Sequence, residues 1–164
     1  MTLLGSPDRG LPFYHIGLVV PDVFAAMEQY SQTLGLTWAT PHESALKVIV
    51  DGEPRVGELA VTYSLEGPPY LELIQERRGS VWGTDGLTLT HVGFWAEDLE
   101  TAKRQLDESG LVARAYEHDG NGRLARFSFH PSGGGLWLEL VRASFQEELD
   151  AWFAATRESW GNDG

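Results

Sequence analysis

The chain has no cysteine among its 164 residues, which excludes both disulfide bonds and thiolate metal sites. Any metal site must therefore use His, Asp or Glu side chains, which suit divalent first-row cations. No stretch approaches about 18 consecutive apolar residues, and no basic region followed by an apolar run opens the sequence. We therefore expect a cytoplasmic protein that neither spans a membrane nor is exported.

Basic residues are scarce as well. Twelve Lys and Arg stand against 24 Asp and Glu, a formal net charge of −12, which would repel a polyphosphate backbone. Nucleic acid is therefore not an expected partner. Arg77 with Arg78, and Arg123 with Arg126, could meet an anionic small molecule, although solvated surface side chains are the simpler interpretation. With 42% hydrophobic and 22% charged residues, the composition is that of an ordinary globular protein.

One segment of the sequence occurs twice. "HIGLVVPDVFAAMEQYSQTLGL" at residues 15–36 matches "HVGFWAEDLETAKRQLDESGL" at residues 91–111. One His, Gly, Asp, Ala and Gln coincide at a constant offset of 76 residues (91 − 15), and one deletion then aligns two glycines. An internal repeat of this kind indicates one supersecondary unit used twice.

Each copy predicts a strand, a helix and three further strands. "FYHIGLVV" and "LTHVGFWA" are rich in β-branched and aromatic residues, and Asp22 and Asp98 follow them at helix N-cap positions. Apolar residues then recur with helical spacing up to a glycine. The extended segments that follow end with "YLELI" in one copy and "WLELV" in the other. We predict an α+β fold of two βαβββ modules plus a C-terminal helix.

These patterns divide the chain into five parts. They are an N-terminal extension (1–12), a first βαβββ module (13–78), a linker (79–88), a second βαβββ module (89–143), and a C-terminal helix and tail (144–164). The tail carries large aromatic residues at helical spacing, which must be buried against the sheets or against another subunit.

Four residues with metal-binding side chains occupy matching places in the two copies. His15 and His91 lie in the first strand of each copy, and Glu72 and Glu139 lie in the last, each between two leucines. Taken singly, each could be a core histidine or an edge glutamate. Two imidazoles and two carboxylates around one divalent ion form a neutral site, which removes the cost of burying unpaired carboxylates. The four converge if the strands curve around a common centre.

Aromatic residues accompany the four candidate ligands on the predicted sheets. They suit a substrate with a ring or an apolar tail, although core packing accounts for several of them equally well. The candidate pocket residues are Tyr70, Trp95, Trp137, Trp38, Tyr63, Phe127 and Trp82.

The segments "YHIGLVVPD", "YLELI", "THVGFWAED" and "FHPSGGGLWLELV" resemble the vicinal oxygen chelate superfamily. That superfamily includes glyoxalase I, methylmalonyl-CoA epimerase, extradiol dioxygenases and the fosfomycin and bleomycin resistance proteins. The resemblance covers about residues 13–143, and the closing segment is similar to that of methylmalonyl-CoA epimerases. It implies a glyoxalase-like fold whose curved mixed sheets enclose a metal-binding cleft, and a homodimer, because members commonly dimerise.

The resemblance also implies a ligand set and one divalent ion per site, which could be Zn, Ni, Co, Mn or Fe. Carried over residue by residue, the superfamily's ligands fall on His15, Glu72, His91 and Glu139. Extradiol dioxygenases bind iron(II) with two histidines and one carboxylate, which here would be His15, His91 and Glu139. The carboxylate at Glu72 instead favours the four-ligand, non-redox arrangement.

Such a site predicts a metal-dependent isomerase, epimerase or lyase that binds two substrate oxygens and stabilises the enolate formed on proton removal. The base would be Glu72 or Glu139, or else Glu58 in "VGELAVTY", for which a solvated strand edge is the simpler interpretation. The substrate would be an acyl-CoA or a hydrophobic or aromatic metabolite. Two alternatives remain: a non-catalytic protein that sequesters a drug or metabolite, as bleomycin resistance proteins do, and an iron(II) extradiol-type dioxygenase.

Overall fold

The computed structural model describes residues 10–83 and 90–162, in which the same order of elements occurs twice. The first unit contains β1 (Phe13–Val20), α1 (Val23–Leu34), β2 (His42–Val50), β3 (Glu53–Tyr63) and β4 (Tyr70–Gln75). The second contains β5 (Thr90–Ala96), α2 (Leu99–Glu108), β6 (Ala115–His118), β7 (Leu124–Pro131) and β8 (Trp137–Arg142). A C-terminal helix, α3 (Gln146–Asn162), follows a 3₁₀ turn at Ala143–Phe145. The predicted α+β fold is confirmed.

The eight strands close into one barrel in the order β1-β4-β3-β2-β6-β7-β8-β5. Within each unit the first strand pairs in parallel with the last, β1 with β4 and β5 with β8. The two units join at antiparallel seams between β1 and β5 and between β2 and β6. The curved mixed sheet therefore encloses a common interior, as the glyoxalase-like fold requires.

Both repeat helices begin at the predicted aspartates. A carboxylate oxygen of Asp22 accepts the Ala25 amide at 3.0 Å, and one of Asp98 accepts the Thr101 amide at 2.9 Å. These bonds satisfy backbone donors that the first helical turn leaves free. α1 ends at Gly35, whose φ of 70° is the left-handed conformation that favours glycine.

The helices cover the outer face of the barrel. Leu73 of β4 is buried against α1, and Leu140 of β8 is buried against α2. Because side chains alternate along a strand, the glutamates next to these leucines face the barrel interior. The "LEL" pattern therefore decides which residues lie under a helix and which lie inside.

The C-terminal helix packs on the barrel through its aromatic residues. The ring of Phe153 lies 6.1 Å from that of Tyr63 and 5.1 Å from that of Tyr70. The indole nitrogen of Trp152 donates to the Thr40 carbonyl at 2.9 Å. The tail therefore packs against the first unit of its own chain, whereas the homodimer stays a prediction.

Both modules contribute strands to a single barrel, so the structure does not divide them at a boundary. The predicted module boundaries therefore stay predictions. The predicted extension (1–12) and linker (79–88) lie partly outside the described residues, as do the last two residues of the tail. Within the described ranges, every helix is too short or too polar to cross a membrane.

Candidate metal centre

Strand pairing places the four predicted ligands in two rows across β4, β1, β5 and β8, which are adjacent in the barrel. One row is Glu72, Gly17 and His91, and the other is His15, Gly93 and Glu139. In both rows a glycine separates the histidine from the glutamate. The two rows are related by the repeat, so the two halves of the site have the same arrangement.

The glycines give the imidazole rings their space. A Cβ atom built on Gly17 would lie 2.0 Å from Cε1 of His91, and one on Gly93 would lie 1.9 Å from Cε1 of His15. Each ring therefore lies directly over the glycine of the neighbouring strand. Adjacent strands are about 4.8 Å apart, so a histidine and a glutamate two strands apart can meet only above a residue without a side chain. The "HxG" motif of each copy makes room for the histidine of the other.

The four side chains converge inside the barrel. Nε2 of His91 is 2.9 Å from Oε2 of Glu72, and Nε2 of His15 is 2.9 Å from Oε2 of Glu139. The two cross distances, His15 to Glu72 and His91 to Glu139, are 3.4 Å, and the two Nε2 atoms are 3.0 Å apart. These separations are those of ligand atoms that share one ion at about 2.0–2.2 Å. Both histidines are fully buried, and both glutamates are 7% exposed.

The two carboxylates of the cluster favour positive charge beside them. Burial alone lowers the pKa of His91, but the carboxylates of Glu139 and Glu72 outweigh it and raise the pKa to about 9. Burial likewise opposes the rise in the pKa of His15, which the same carboxylates cause. The pKa of Glu72 is lowered because His15 and His91 outweigh burial, which raises it. One divalent cation would satisfy all four groups without these protons, so the cluster could hold a metal ion.

Packing orients the imidazole rings. Nδ1 of both His15 and His91 is buried and has no hydrogen-bond partner among the described residues. Instead, the ring of His15 meets Tyr14 edge-on at 4.3 Å, and the ring of His91 meets Phe129 edge-on at 5.1 Å. These aromatic contacts and the glycines opposite the rings point both Nε2 atoms into the cluster.

Tyr63 holds one of the two carboxylates. Its hydroxyl donates to Oε1 of Glu72, which leaves Oε2 directed at the histidines. Burial and the charge of Glu72 raise the pKa of Tyr63 well above its usual value, so the phenol remains a donor. Phe129 lies in the corresponding place opposite Glu139 and has no hydroxyl to offer. The two glutamates are equivalent in the repeat but are held differently.

A cavity of about 230 Å³ lies beside the cluster, with Glu72 and Glu139 on its wall. It is smaller than the roughly 300–1,000 Å³ of sites for drug-sized ligands, so it suits a short acyl chain or one ring. Its apolar lining is Leu46, Leu59, Val61, Ile74, Trp82, Phe127, Phe129, Val141, Phe145 and Trp152. Its other polar lining residues are Tyr14, His42, Ser44, Tyr63, Arg126 and Glu148.

Some of the predicted pocket residues border this cavity. Tyr63, Phe127 and Trp82 line it. Trp95 does not, because it stacks on Tyr14 at 3.7 Å, and Tyr14 forms the wall in its place. The ring of Tyr14 therefore covers Trp95, which was predicted to line the pocket.

Three further predicted pocket residues lie away from the cavity. Tyr70 packs its ring against Phe153 of α3, at 5.1 Å. Trp38 is buried among residues of α1, and Trp137 has the guanidinium of Arg114 at 5.8 Å over its ring. Each of these residues packs against a helix or a loop, and the alternation of side chains along a strand does not predict where that helix or loop lies.

Glu58, the weaker candidate base, lies outside the cavity. Leu59 and Val61 of β3 line the cavity, so alternation directs Glu58 to the opposite face, where it is exposed. Among the described lining residues, the remaining carboxylates are Glu72, Glu139 and the exposed Glu148. The two buried carboxylates that line the cavity therefore both belong to the four-residue cluster.

Strand alternation failed to identify Tyr14 as a site residue. Regular alternation with His15 would send Tyr14 outwards, but the register of β1 against β5 shifts between Phe13 and His15. Tyr14 and His15 are consequently both buried, at 2% and 0% exposure. Trp152 is one of the large aromatic residues of the C-terminal helix, and nothing in that helix alone shows which surface it covers.

The histidines without a repeat partner have other surroundings. His42 lines the cavity and is exposed. His130 is fully buried: its Nδ1 donates to the Leu111 carbonyl at 2.6 Å, and its Nε2 accepts from the Ser128 hydroxyl at 2.9 Å. Two satisfied ring nitrogens identify His130 as a structural residue.

The chain belongs to the Glyoxalase/Bleomycin resistance protein/Dioxygenase superfamily, whose sequence profile matches residues 14–127. This confirms the resemblance found in the sequence. A comparison with curated proteins gives no match.

Solved structures of methylmalonyl-CoA epimerases share the fold. That of Mycobacterium tuberculosis is 21% identical, with a TM-score of 0.51 over 79% of this chain and 86% of the other. A variant from Streptomyces coelicolor in complex with 2-nitronate-propionyl-CoA is 20% identical, with a TM-score of 0.54 over 82% and 99%. A methylmalonyl-CoA epimerase in complex with methylmalonyl-CoA and NH4⁺ is 22% identical, with a TM-score of 0.51 over 81% and 94%.

Proposed function

We propose that the protein is a divalent-metal-dependent epimerase or isomerase that removes a proton next to a carbonyl group of a small molecule. The observation that carries this proposal is the convergence of two imidazoles and two carboxylates on the wall of an apolar cavity. Titratable groups gathered and perturbed in this way favour a functional site over a structural one. The fold shared with methylmalonyl-CoA epimerases agrees with the same class of reaction.

The residues that would hold the ion are His15, Glu72, His91 and Glu139. When bound, a divalent ion supplies Lewis acidity, which lowers the pKa of a C–H bond beside a carbonyl group. The chain supplies the enclosure: apolar walls and α3 keep water from the reacting part of the substrate. All four side chains belong to strands of one barrel, which preserves their geometry during turnover.

Glu139 is the better placed of the two glutamates to move a proton. Tyr63 ties Oε1 of Glu72, whereas the residue opposite Glu139 is Phe129, so no hydroxyl from that strand ties Oε1 of Glu139. Glu139 also borders the cavity. We assign it the role of taking the proton from the substrate carbon and returning it.

The cavity limits the substrate. A volume of about 230 Å³ takes an acyl group, while a moiety the size of CoA would have to lie outside. Because similar structures hold 2-nitronate-propionyl-CoA and methylmalonyl-CoA, 2-methylacyl-CoA thioesters are the first substrates to test. Adducts of a 2-oxoaldehyde with a thiol are the second, since their isomerisation also passes through an enolate.

Deuterium exchange tests the proposal directly. Protein stripped with a chelator and reloaded with Zn²⁺, Ni²⁺, Co²⁺ or Mn²⁺ is incubated in D2O with methylmalonyl-CoA or with an oxoaldehyde–thiol adduct. Proton NMR should show metal-dependent deuterium incorporation at the carbon next to the carbonyl group. Glu139→Gln should abolish the exchange, and Glu58→Gln, a matched change on the outer face, should leave it intact.

The alternatives predict different results in the same experiment. If the protein binds metal but catalyses deuterium exchange into neither substrate, the isomerase proposal is refuted. Tight binding of a small molecule that does not react would favour sequestration. Oxygen consumption with iron(II) and a catechol would assign a dioxygenase. The fourth converging side chain, the carboxylate of Glu72, favours the isomerase over the three-ligand iron site.

A further inference from the structure

β1 is irregular at the point where it enters the site. Phe13 pairs with Phe94, and His15 pairs with Gly93, so Tyr14 is an extra residue in the ladder with β5. A β-bulge of this kind leaves one residue unpaired and re-aims side chains, and bulges are frequent beside active sites. Here the bulge turns Tyr14 into the barrel next to a candidate metal ligand.

The ring of Tyr14 is fixed on one side and meets the cavity on another. It stacks on Trp95 with ring centroids 3.7 Å apart and an interplanar angle of 12°. It also borders the cavity together with Glu72 and Glu139. The hydroxyl position is therefore set by the bulge and the stacked indole, as a site that must hold a reacting atom requires.

The hydroxyl of Tyr14 has a hydrogen to donate. It lies near the hydroxyl of Tyr63, whose own hydrogen is donated to Glu72. A tyrosine phenol is protonated at neutral pH, so this hydroxyl can donate a hydrogen bond. Tyr14 is thus a neutral donor beside two carboxylates.

We propose that Tyr14 donates a hydrogen bond to the substrate carbonyl oxygen and that this bond strengthens as negative charge develops on that oxygen. The inference rests on the proposed function, because it needs an enolate to stabilise. The C–H bond breaks, its proton passes to Glu139, and its electron pair forms the enolate C=C bond while the C=O pair moves to oxygen. The O–H bond of Tyr14 stays intact throughout, and return of the proton restores the C–H bond.

Tyr63 is not an equivalent donor. Its hydrogen is committed to the ionised carboxylate of Glu72, with which a substrate oxygen would have to compete. Among the described hydrogen bonds, none gives the hydrogen of Tyr14 to a carboxylate, so a substrate oxygen that approaches Tyr14 does not compete with an anion. The two tyrosines therefore have different roles: Tyr63 positions Glu72, and Tyr14 donates to the substrate.

Binding of benzohydroxamate tests this role without turnover. The probe carries a ring and two adjacent oxygens and resembles an enolate when ionised. Its dissociation constant is measured by calorimetry on protein loaded with the divalent ion that the parent binds most tightly. Tyr14→Phe keeps the ring that stacks on Trp95 and removes only the hydroxyl. Tyr116→Phe is the matched control, because Tyr116 is a tyrosine of β6 that does not line the cavity.

We expect the dissociation constant of benzohydroxamate to rise roughly 10- to 100-fold in Tyr14→Phe, the range for a lost hydrogen bond to a charged acceptor. Metal affinity should be unchanged, and Tyr116→Phe should match the parent in both measurements. If Tyr14→Phe binds the probe as tightly as the parent, the inference is overturned and the proposed function stands. A lower metal affinity in Tyr14→Phe would make Tyr14 a support of the ligands and would also overturn it. A parent that binds no divalent ion would overturn the proposed function, and this inference with it.

Discussion

One methyl group added at Gly93 should disable the metal centre while the barrel still folds. The imidazole of His15 lies over Gly93, with Cε1 1.9 Å from the place of a Cβ atom. Ordinary contact begins at 3.4 Å, so the ring must move by about 1.5 Å (3.4 − 1.9). Metal–ligand distances tolerate about 0.2 Å of displacement. His15 is therefore lost as a ligand in Gly93→Ala.

The expected loss of metal affinity is at least about 100-fold. Removing a residue that merely supports a ligand costs roughly 10- to 100-fold in affinity, and a displaced ligand costs at least the upper end of that range. A factor of 100 corresponds to about 2.8 kcal/mol. The backbone at Gly93 adds no penalty of its own, because its φ lies outside the left-handed region.

Competition with a chromophoric chelator measures the metal affinity of each variant. Gly17→Ala should act in the same way on His91, whose Cε1 is 2.0 Å from the added atom. Gly57→Ala is the matched control, since it is a strand glycine whose added Cβ would meet its nearest neighbour at 3.6 Å, an ordinary contact. Unfolding of the metal-free proteins shows whether the barrel is intact. A folded Gly93→Ala protein with the parent's metal affinity would refute the reasoning.

Three other changes have defined outcomes. His91→Ala should bind metal at least about 100-fold more weakly while circular dichroism stays that of the parent, and equal metal content would contradict this. Tyr63→Phe should weaken metal binding roughly 10- to 100-fold, because Oε1 of Glu72 loses its donor; unchanged affinity would remove Tyr63 from the site. Burial lowers the pKa of His130, so the unfolded chain binds its proton more readily, and the free energy of unfolding should fall as the pH drops below about 6.5. Urea unfolding at about pH 7.5 and 5.5 measures this fall, which should be smaller in His130→Gln than in the parent. An equal fall in the free energy of unfolding would exclude His130 as its source.

The repeated sequence predicted the parts of the molecule that depend on local periodicity. Asp22 and Asp98 cap their helices, and the "LEL" strands turn Glu72 and Glu139 towards the interior. Such features follow from one strand or one helix alone, because period and capping are set by neighbouring residues in the chain. The convergence of the four candidate ligands needed only the further condition that the barrel closes.

Features that depend on pairing between distant segments were not predictable in this way. The bulge at Tyr14 is a property of two paired strands, and no residue type in β1 specifies it. The face on which Glu58 lies follows from the register of β3, and the displacement of Trp95 from the cavity follows from the bulge. The surface that α3 covers likewise depends on where its aromatic residues find space.

One divalent ion inside the barrel is what the proposed function requires. Anomalous diffraction from a metal-loaded crystal, recorded at the absorption edge of that metal, locates the ion directly. The expected result is one peak per chain, about 2.0–2.2 Å from each of four ligand atoms. Those atoms belong to His15, Glu72, His91 and Glu139. Crystals of protein saturated with the ion that show no peak inside the barrel, or a peak on other residues, would contradict it.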